Sequence, residues 1–594
     1  MSLRPAFRSL LALTLFCPVP SLAQQPVPPP APDSVRLHQL IAQHWAYTMH
    51  EYPEYATAVG YPGQNARWTD YSLEAIARRK RELNDPLTAL RAIDRAKLSA
   101  NDQLNYDLFR HDAIDALDES RFPGELLPVN QLGGVQQDVP AIIAQMPAGT
   151  VPEYEDIIAR LRAVPVLVNQ TITLLERGLA TGVTPPQITL RDVPAQAQSL
   201  VVADPLTSPM LEAFVHFPAG TSGADQQRLR AAAVAAYRDS LAPAFQKLSA
   251  FLRDKYVPGA RKTIGMRDLP NGLDWYRIRA RTTTTTDLTP EQIHALGLAE
   301  VNRIRGQMDS VIAATGFKGA FADFVQFLRT DPRFFFTTPE DLLRASRDLA
   351  KRIDPGLVRL FGTLPRLTYG VSPVPSYAER SVTTAYYQPG SPLAHRAGIY
   401  FVNTFNLPAR PRWEMEALTL HEAVPGHHLQ IALAEELEGV PEFRRFGGYT
   451  AFVEGWGLYS ESLGGELGLY TDPYSKFGQL TYEMWRAIRL VLDTGIHTMG
   501  WTREQAIDYF KANAAKTEHD ITVEVDRYIV WPGQALAYKI GELKIKELRA
   551  YASSTLGSKF DVRAFHDQVL GAGAVPLDVL DARIHAWVAS VQAR

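Results

Sequence analysis

Apolar residues recur every three or four positions along most of the chain that follows residue 32. This spacing places them on one face of an amphipathic helix. The first such segment begins near Asp33, a residue type that caps helix N-termini. Its apolar positions are Val35, Leu37, Leu40, Ile41 and Trp45. The pattern predicts a mostly α-helical protein.

Three polar segments carry strong signals for the start of a helix. In Thr289–Gln292 the threonine can cap the helix, proline occupies its first position and glutamine completes a capping box. Thr338 opens a second start with the same Thr-Pro-Glu order, and Thr502 with Gln505 forms a third. We therefore expect helices to begin at these three positions.

Strand-like runs are few, and they suggest a small β element at most. The best is residues 398–404 (GIYFVNT), which are rich in β-branched and aromatic side chains. A run of five threonines, Thr282–Thr286, precedes the first strong helix start. Near this run we divide the chain into a helical N-terminal half, residues 33–280, and a catalytic half, residues 281–594, which together form one intertwined catalytic unit.

The N-terminus has the three-part layout of a secretory signal peptide in residues 1–23. Arg4 and Arg8 precede an apolar run, residues 9–17, that is too short to span a bilayer. Small residues then allow cleavage after Ala23. This layout predicts an exported, periplasmic protein.

Cys17, the single cysteine, ends that apolar run. The bulky Phe16 before it disfavours lipid attachment, so we favour plain export. A Pro-rich linker, residues 24–32, follows the cleavage position. No other segment offers about 18 unbroken apolar residues, so we expect no membrane span.

The composition narrows the chemistry. The 61 basic and 64 acidic side chains give a formal net charge of −3, which argues against nucleic-acid binding driven by charge. A single cysteine excludes an intramolecular disulfide, a cysteine-bound metal cluster and a redox C-x-x-C pair. The sequence has no G-x-S-x-G elbow and no P-loop, so serine-type hydrolysis and ATP use lack support. It does not determine the oligomeric state.

The most informative segment is His421–His428, which reads HEAVPGHH. Zinc peptidases with the motif H-E-x-x-H place two histidines one helical turn apart on one face. Here the fourth position after His421 is Pro425, and the next histidines are six and seven positions away. In a regular helix seven residues rise about 10.5 Å, which is too far for two histidines that share one zinc ion.

A break in the helix would change this geometry. Pro425 removes a backbone donor, and Gly426 permits unusual dihedral angles. A two-residue bulge there would return His427 to the position that an i+4 histidine normally takes. We therefore expect His421 and His427 to bind the metal, with His428 as the alternative to His427.

A catalytic zinc ion also needs a third protein ligand and an open position for water. The next helical segment, residues 450–463, carries Glu454 between Phe452 and Trp456. A carboxylate in such an apolar setting is costly unless it is paired or bound to a metal. We expect Glu454 to be the third ligand of one Zn²⁺ ion. Glu461, seven residues on along the same face, is the competing carboxylate.

Four blocks of the sequence resemble the signature blocks of a large family of bacterial proteins long known only as a domain of unknown function. They read HEAVPGHHLQ, AFVEGWGLYSE, RAIRLVLDTGIH and DRYIVWPGQALAYKIGELK. The family is similar to the clan of helical zinc peptidases that includes angiotensin-converting enzyme and thimet oligopeptidase. The resemblance covers most of the chain, and the H-E-x-x-P-G-H-H block is its most specific part.

The resemblance implies a mostly α, two-lobed zinc-peptidase fold around a deep cleft, with zinc on the cleft floor and a small β element near the site. The similar dipeptidyl peptidase III has a motif one residue longer, in which a Gly-His pair keeps the ligand, as Gly426 and His427 would here. Glu422 would be the general base that activates the metal-bound water. An edge strand of this clan often pairs with the substrate backbone, a role that residues 398–404 would fill.

Further candidates for substrate contact lie in the last block. Arg527-Tyr528 resembles the Arg-Tyr pair of angiotensin-converting enzyme. This makes Tyr528 the expected oxyanion donor, and Arg527 the residue that holds a substrate carboxylate or an internal acid. Tyr538 and Lys539 follow this pair by eleven residues, about three helical turns, and would bind a C-terminal carboxylate.

Asp493 and His497 form an i, i+4 pair in the third block. Asp493 either orients a zinc-bound histidine or pairs with an arginine of its own helix. His497 either stabilises the reaction intermediate or is a structural histidine.

The sequence therefore predicts an exported zinc metallopeptidase that hydrolyses short peptides as a carboxypeptidase or oligopeptidase. The Arg, Tyr and Lys set favours recognition of the C-terminus. One alternative is hydrolysis of an amide bond in a non-peptide metabolite by the same machinery. Another is a non-catalytic peptide-binding protein on a peptidase scaffold, although the retained Glu422 argues against it.

Overall fold

The structure is a computed structural model that describes residues 32–376, 379 and 382–594. The predicted signal peptide and all of the linker except its last residue lie outside these residues. Helices make up 69% of the chain and strands 3%, which confirms the prediction of a mostly α-helical protein.

Helices fill the N-terminal half, and short 3₁₀ and π turns join several of them. Their bounds are α1 (Pro32–Glu51), α2 (Pro53–Val59), α3 (Leu73–Glu82), α4 (Asp85–Leu90), α5 (Ala100–Glu119), α6 (Val135–Gln145), α7 (Val151–Thr181), α8 (Gln187–Leu190), α9 (Val193–Ser199), α10 (Gly223–Ala236), α11 (Ala242–Phe251), α12 (Val257–Gly259) and α13 (Gly272–Thr284). Asp33 lies in the first turn of α1 rather than at its cap.

Helices also dominate the second half, together with three short strands. Their bounds are α14 (Pro290–Ala314), α15 (Phe321–Thr330), α16 (Pro339–Leu357), β1 (Tyr369–Pro373), β2 (Ala385–Gln388), β3 (Gly398–Val402), α17 (Met415–Glu422), α18 (His427–Glu435), α19 (Glu442–Phe446), α20 (Thr450–Ser462), α21 (Pro473–His497), α22 (Arg503–Asn513), α23 (Glu518–Val530), α24 (Ala537–Leu556), α25 (Val562–Leu570) and α26 (Leu577–Gln592).

The three predicted helix starts are confirmed. Thr289 accepts a hydrogen bond from the backbone N–H of Gln292 (3.3 Å), and the Gln292 side chain accepts one from the backbone N–H of Thr289 (2.9 Å). Thr502 and Gln505 form the same reciprocal pair. The Thr338 side chain accepts a hydrogen bond from the backbone N–H of Asp341, the third residue of α16, at 3.1 Å. Each cap satisfies backbone donors that a helix leaves free at its N-terminus.

The small sheet has the strand order β1-β3-β2. Strand β3 pairs with β1 in parallel and with β2 in antiparallel orientation, so it is the central strand. This corrects the expectation that residues 398–404 form an edge strand, because both backbone edges of β3 are already used. Asn403, just after β3, donates to the carbonyl oxygens of Glu379, Val382 and Thr383 and so holds the segment that leads into β2.

Two helix pairs build the core around the candidate site. Helix α21 is buried along nearly its whole length and packs along α14. Helices α20 and α24 approach closely, since a Cβ atom on Gly455 would lie 2.5 Å from Gly541. This contact brings Glu454 on α20 and Tyr538 on α24 to the same region.

The division of the chain near residue 280 stays a prediction. Helix α13 runs through that position. The largest hydrophobic cluster also contains side chains from both sides of it, such as Trp275 and Trp456.

Helix α7 is long and apolar enough, by length and composition, to cross a membrane. In its most apolar 18-residue window, 56% of the residues are buried inside the molecule. Its Leu161, Val164 and Val168 belong to a hydrophobic cluster of the N-terminal half. A core helix has these same properties.

Candidate metal centre

The helix that carries the HEAVPGHH segment is broken in the middle. Helix α17 ends at Glu422, and α18 begins at His427 after a four-residue connection whose Val424–Pro425 peptide bond is cis. Trp456 donates its indole N–H to the carbonyl oxygen of Pro425 at 2.7 Å. A Cβ atom on Gly426 would lie 1.9 Å from the carbonyl oxygen of His421, so only glycine fits this turn.

The break returns His427 to the side of His421. The two imidazole rings lie with their centroids 4.6 Å apart and nearly perpendicular. Glu454 approaches both: its Oε2 atom is 3.5 Å from His421 Nε2 and 3.3 Å from His427 Nε2. One ligand atom from each of the three residues lies within 4.8 Å of the others.

This donor set fits a divalent cation. Tetrahedral ligands about 2.1 Å from a zinc ion lie about 3.4 Å from one another, which matches the distances from Glu454 Oε2 to the two histidine nitrogens. Glu454 Oε2 is buried and has no hydrogen-bond partner among the described residues. Two histidines with one glutamate are a common ligand set of catalytic zinc.

Electrostatics also favour a cation at this position. Burial alone would raise the pKa of Glu454, but His427 and His421 hold it well below its usual range. Burial alone would lower the pKa of His421, but the neighbouring carboxylates of Glu454 and Glu461 outweigh it and raise that pKa to about 9. The negative potential that retains a proton here also attracts a metal ion.

Glu461 orients the first histidine. Its Oε1 atom lies 2.9 Å from His421 Nδ1, and the side chain is fully buried. A proton on Nδ1 that is donated to Glu461 leaves the Nε2 lone pair directed at Glu454, as in many metal sites. Arg486 lies 3.4 Å behind Glu461 and compensates its charge.

Asp493 and His497 contact residues other than His421, His427 and Glu454. Asp493 accepts hydrogen bonds from the hydroxyl of Tyr276 (2.5 Å) and the backbone N–H of Gly533 (3.0 Å), and burial raises its pKa to about 7. His497 Nε2 lies 2.9 Å from the backbone oxygen of Tyr528, and burial lowers the pKa of the ring to about 4. Glu461, rather than Asp493, is therefore the carboxylate that orients His421. His497 binds the backbone of Tyr528 and has a structural role.

His428 faces the sheet instead of Glu454. Its Nδ1 lies 2.9 Å from the hydroxyl of Tyr387, and its Nε2 lies 3.1 Å from the carbonyl oxygen of Leu367. Burial lowers the pKa of His428 to about 4, so the ring is neutral. Of the two histidines that the sequence left open, the structure brings His427 close to His421 and Glu454.

A cavity of about 320 Å³ opens beside these residues, within the ~300–1,000 Å³ range of small-molecule sites. One side, which we call the metal wall, carries His421, Glu422, His427 and Glu454. A second part of the lining, which we call the arginine wall, carries Arg486, Arg489, Glu524 and Arg527. The remaining lining comes from Leu132, Leu418, Tyr482, Trp485, Trp531, Tyr538 and residues 382–387, which include part of β2.

Two of the predicted substrate-contact residues line this cavity. Arg527 donates from Nη2 to the hydroxyl oxygen of Tyr538 at 3.0 Å. The Tyr538 ring lies nearly parallel to the His421 ring, with centroids 6.3 Å apart. Both side chains are therefore within reach of a ligand next to the metal wall.

Tyr528 does not line the cavity. It is fully buried, and its hydroxyl oxygen accepts hydrogen bonds from Trp485 Nε1 (3.0 Å) and Arg489 Nε (3.2 Å). This placement corrects the expectation that Tyr528 meets a substrate oxyanion, because its hydroxyl group points into the protein.

Lys539 is also absent from the cavity. Its ammonium group is fully buried between Glu542 (2.6 Å), Glu483 (2.9 Å) and Glu300 (3.0 Å). Burial opposes its charge, but these carboxylates outweigh burial and raise the pKa of Lys539. This placement corrects the expectation that Lys539 binds a substrate carboxylate. Successive helical residues point about 100° apart, so Tyr538 and Lys539 face different surroundings.

The sequence interpretation missed the arginines of α21. Arg486 and Arg489 are three residues apart and share one helix face, where both line the cavity. Two arginines at this spacing in an otherwise apolar helical segment were the available signal, because buried arginine is rare unless it is paired.

Comparison with protein families gives a match over residues 53–584 to the family described as bacterial proteins of unknown function (DUF885). Comparison with curated proteins found no match.

Comparison with solved structures gives further matches. A candidate lipoprotein from Colwellia psychrerythraea is 30% identical with a TM-score of 0.89, over 94% of this chain and 99% of that protein. A candidate lipoprotein of unknown function from Shewanella oneidensis is 18% identical with a TM-score of 0.68, over 92% and 99%; it shares the fold. An apo-Mg carboxypeptidase from Pyrococcus furiosus has 10% identity and a TM-score of 0.36, too low to carry an argument.

Proposed function

This chain belongs to the DUF885 family of bacterial proteins, and from the geometry of its metal wall we propose that it is an exported, zinc-dependent metallopeptidase of short peptides. The observation that carries the proposal is the convergence of His421, His427 and Glu454 within 4.8 Å at the edge of a cavity. Glu422 lines the same cavity next to these three residues.

The residues of the metal wall divide the chemistry between them. His421, His427 and Glu454 would hold a zinc ion, which when bound would supply a Lewis acid for a water molecule and for the substrate carbonyl group. Glu422 takes the proton from the attacking water and passes it to the leaving amine. Glu461 keeps the His421 ring oriented throughout.

Tyr538 takes the oxyanion role that the sequence assigned to Tyr528. Its hydroxyl oxygen accepts from Arg527 Nη2 at 3.0 Å and from Gln534 Nε2 at 3.3 Å. With two donors directed at the oxygen, the hydroxyl proton is available for the cavity, where it can donate to a carbonyl oxygen that becomes negative.

The edge of β2 that faces away from β3 supports an extended peptide in the cavity. The backbone N–H of Asn403 donates to the carbonyl oxygen of Thr384, so residues 384, 386 and 388 direct their backbone groups toward β3. By the alternation of antiparallel strands, Ala385 and Tyr387 direct theirs the other way, and both line the cavity. We assign the substrate backbone to this edge.

Export rests on the N-terminal sequence and on the two relatives described as lipoproteins. We propose cleavage after Ala23 and a periplasmic location. Mass spectrometry of the protein from cells tests this: an N-terminus at Gln24 is expected, and a lipid-modified Cys17 would replace plain export with a membrane anchor.

Cleavage mapping on a pool of random short peptides tests the activity. We expect fragments with the full chain, none after chelation, and recovery with added zinc. The Glu422→Gln variant is the matched control, since it keeps the three metal ligands but lacks the general base. Cleavage that survives chelation, or that Glu422→Gln retains, contradicts the proposal.

The same assay separates the two alternatives that the sequence left open. A zinc-bound protein that cleaves a non-peptide amide but no peptide would be an amidohydrolase. A zinc-bound protein that binds peptides and cleaves nothing would be a binding protein.

A further inference from the structure

The arginine wall carries more positive charge than its own carboxylates neutralise. Arg486 is offset by Glu461, whose Oε1 atom is 3.4 Å from Arg486 Nη2. Arg489 and Arg527 share one carboxylate: Glu524 lies 3.0 Å from Arg489 Nη2 and 3.6 Å from Arg527 Nη1. Two guanidinium groups therefore face one carboxylate, which leaves one positive charge in excess.

Neighbouring charges do not remove this excess. Glu454 interacts with the two histidines of the metal wall, and the charges of Glu454 and Glu422 together match one divalent cation. Lys516, near the arginine wall, forms its own buried pair with Glu414 at 2.5 Å. The unmatched charge thus stays at the Arg489–Arg527 pair.

Both guanidinium groups also keep unused donors. Arg489 is 2% exposed, and its Nη1 atom has no hydrogen-bond partner in the part of the chain that the structure describes. Arg527 Nε likewise has no hydrogen-bond partner among the described residues. A buried cation with unsatisfied donors is costly unless an anion meets it, and guanidinium groups match carboxylates well.

Tyr538 connects this pair to the metal wall. The Arg489 guanidinium lies 4.2 Å from the centre of the Tyr538 ring, and Arg527 donates to its hydroxyl oxygen. His421 is another neighbour of that ring, at 6.3 Å between centroids. An extended residue spans about 3.5 Å, so a carboxylate one to three residues from the reacting bond reaches the pair.

We propose that the Arg489–Arg527 pair binds a carboxylate of the substrate, so that the protein selects peptides with a free carboxylate close to the reacting bond. This inference rests on the proposed function and specifies its substrate class. The carboxylate has two possible sources, the C-terminus of the peptide or the side chain of an aspartate or glutamate. The proposal keeps the carboxylate-binding role that the sequence suggested for Arg527, and it gives to Arg489 the role that the sequence suggested for Lys539.

Calorimetric binding to the full-length, zinc-loaded Glu422→Gln variant tests the pair without turnover. The probes are N-acetyl-tetraalanine as the free acid, the same peptide as its amide, and N-acetyl-Ala-Ala-Ala-Glu amide. We expect the free acid to bind about 10- to 100-fold more tightly than the alanine amide, the effect of a hydrogen bond to a charged group. Equal affinity of all three, or no binding of either carboxylate, overturns the inference.

The third probe identifies the source of the carboxylate. If the free acid alone binds tightly, the pair recognises a C-terminus; if the glutamate amide does, it recognises an acidic side chain. Either result supports the pair. Preference for a carboxylate without any cleavage by the wild-type chain would refute the peptidase proposal but support carboxylate binding by the arginine pair. Zinc-dependent cleavage without a preference for a carboxylate would support the peptidase proposal and refute carboxylate binding by the pair.

Variants that change the number of unmatched arginines test which residues bind the carboxylate. Arg527→Gln leaves Arg489 matched by Glu524, so the preference should fall toward equality. Arg527→Gln combined with Glu524→Gln leaves one unmatched arginine again, so the preference should return. Recovery in the double variant separates the charge effect from damage to the fold, and failure to recover contradicts the proposal. Arg95→Gln, which breaks a surface ion pair with Asp107, is the control and should leave the preference for the free acid unchanged.

Discussion

The two walls of the cavity differ in charge and in how the chain builds them. The metal wall gathers two histidines and two glutamates, and its key turn at Gly426 is set by a few neighbouring residues. The arginine wall gathers three guanidinium groups from α21 and α23, and the two on α21 pair with carboxylates that are distant in sequence. The difference suggests a division of work, with the reacting carbonyl group at the first wall and substrate charge at the second.

Removing a ligand from the metal wall should have the largest effect. His421→Ala should weaken metal binding by more than about 100-fold, because even the loss of a group that only orients a ligand costs 10- to 100-fold. Peptide cleavage should disappear with the metal. Metal content and cleavage measured on one sample check this, and one metal ion retained per chain would contradict the assignment.

The matched control for that variant is His428→Ala. His428 contacts Tyr387 and Leu367 on the side of the sheet, so its loss should leave the metal bound. Loss of metal in this variant instead would identify His428 as the ligand.

The next largest effect should come from Tyr538, which lies between the two walls. Tyr538→Phe should lower kcat by about 10²- to 10³-fold with metal content unchanged, the usual loss for one oxyanion donor. Steady-state kinetics on a peptide substrate measure this. Tyr528→Phe is the control with the same chemical change away from the cavity, and a larger loss there would return the role to Tyr528.

A smaller effect is expected from the group behind the metal wall. Glu461→Gln should lower zinc affinity by about 10- to 100-fold, because the neutral amide lacks the charge that favours a proton on His421 Nδ1. Competition with a chelator measures the affinity. Asp493→Asn should leave it unchanged, since Asp493 contacts Tyr276 and Gly533. Equal losses in both variants would contradict the orienting role.

The smallest effect on activity should come from Lys539, which belongs to neither wall. Lys539→Met removes the only fully buried cation that contacts Glu300, Glu483 and Glu542 among the described residues. The partly exposed Arg303 and Lys546 remain beside these glutamates, and the free energy of unfolding should fall by about 3–5 kcal/mol. Urea unfolding measures the loss. Unchanged stability together with a selective loss of affinity for peptide acids would show that Lys539 contacts the substrate after all.

The sequence was sufficient where short-range geometry decides the structure. The helix starts at Thr289, Thr338 and Thr502 follow from local capping chemistry. The break at Pro425-Gly426 was also predictable, since proline lacks a backbone donor and glycine permits unusual dihedral angles. In the structure the carbonyl oxygen of His421 leaves no room for a side chain at Gly426.

The sequence was insufficient where helix packing decides the structure. Spacing along α23 and α24 gives the relative directions of Tyr528, Tyr538 and Lys539, but it does not say which direction faces the cavity. That depends on α21, whose Trp485 and Arg489 bind the hydroxyl of Tyr528. The central position of β3 likewise depends on β1, which the sequence did not reveal as a strand.

A zinc titration of the chelated full-length chain tests the central claim most directly. Peptide cleavage should be absent at the start, rise in proportion to added zinc and stop rising at one zinc ion per chain. Cleavage before any zinc is added, or none after one ion has bound, would contradict the account.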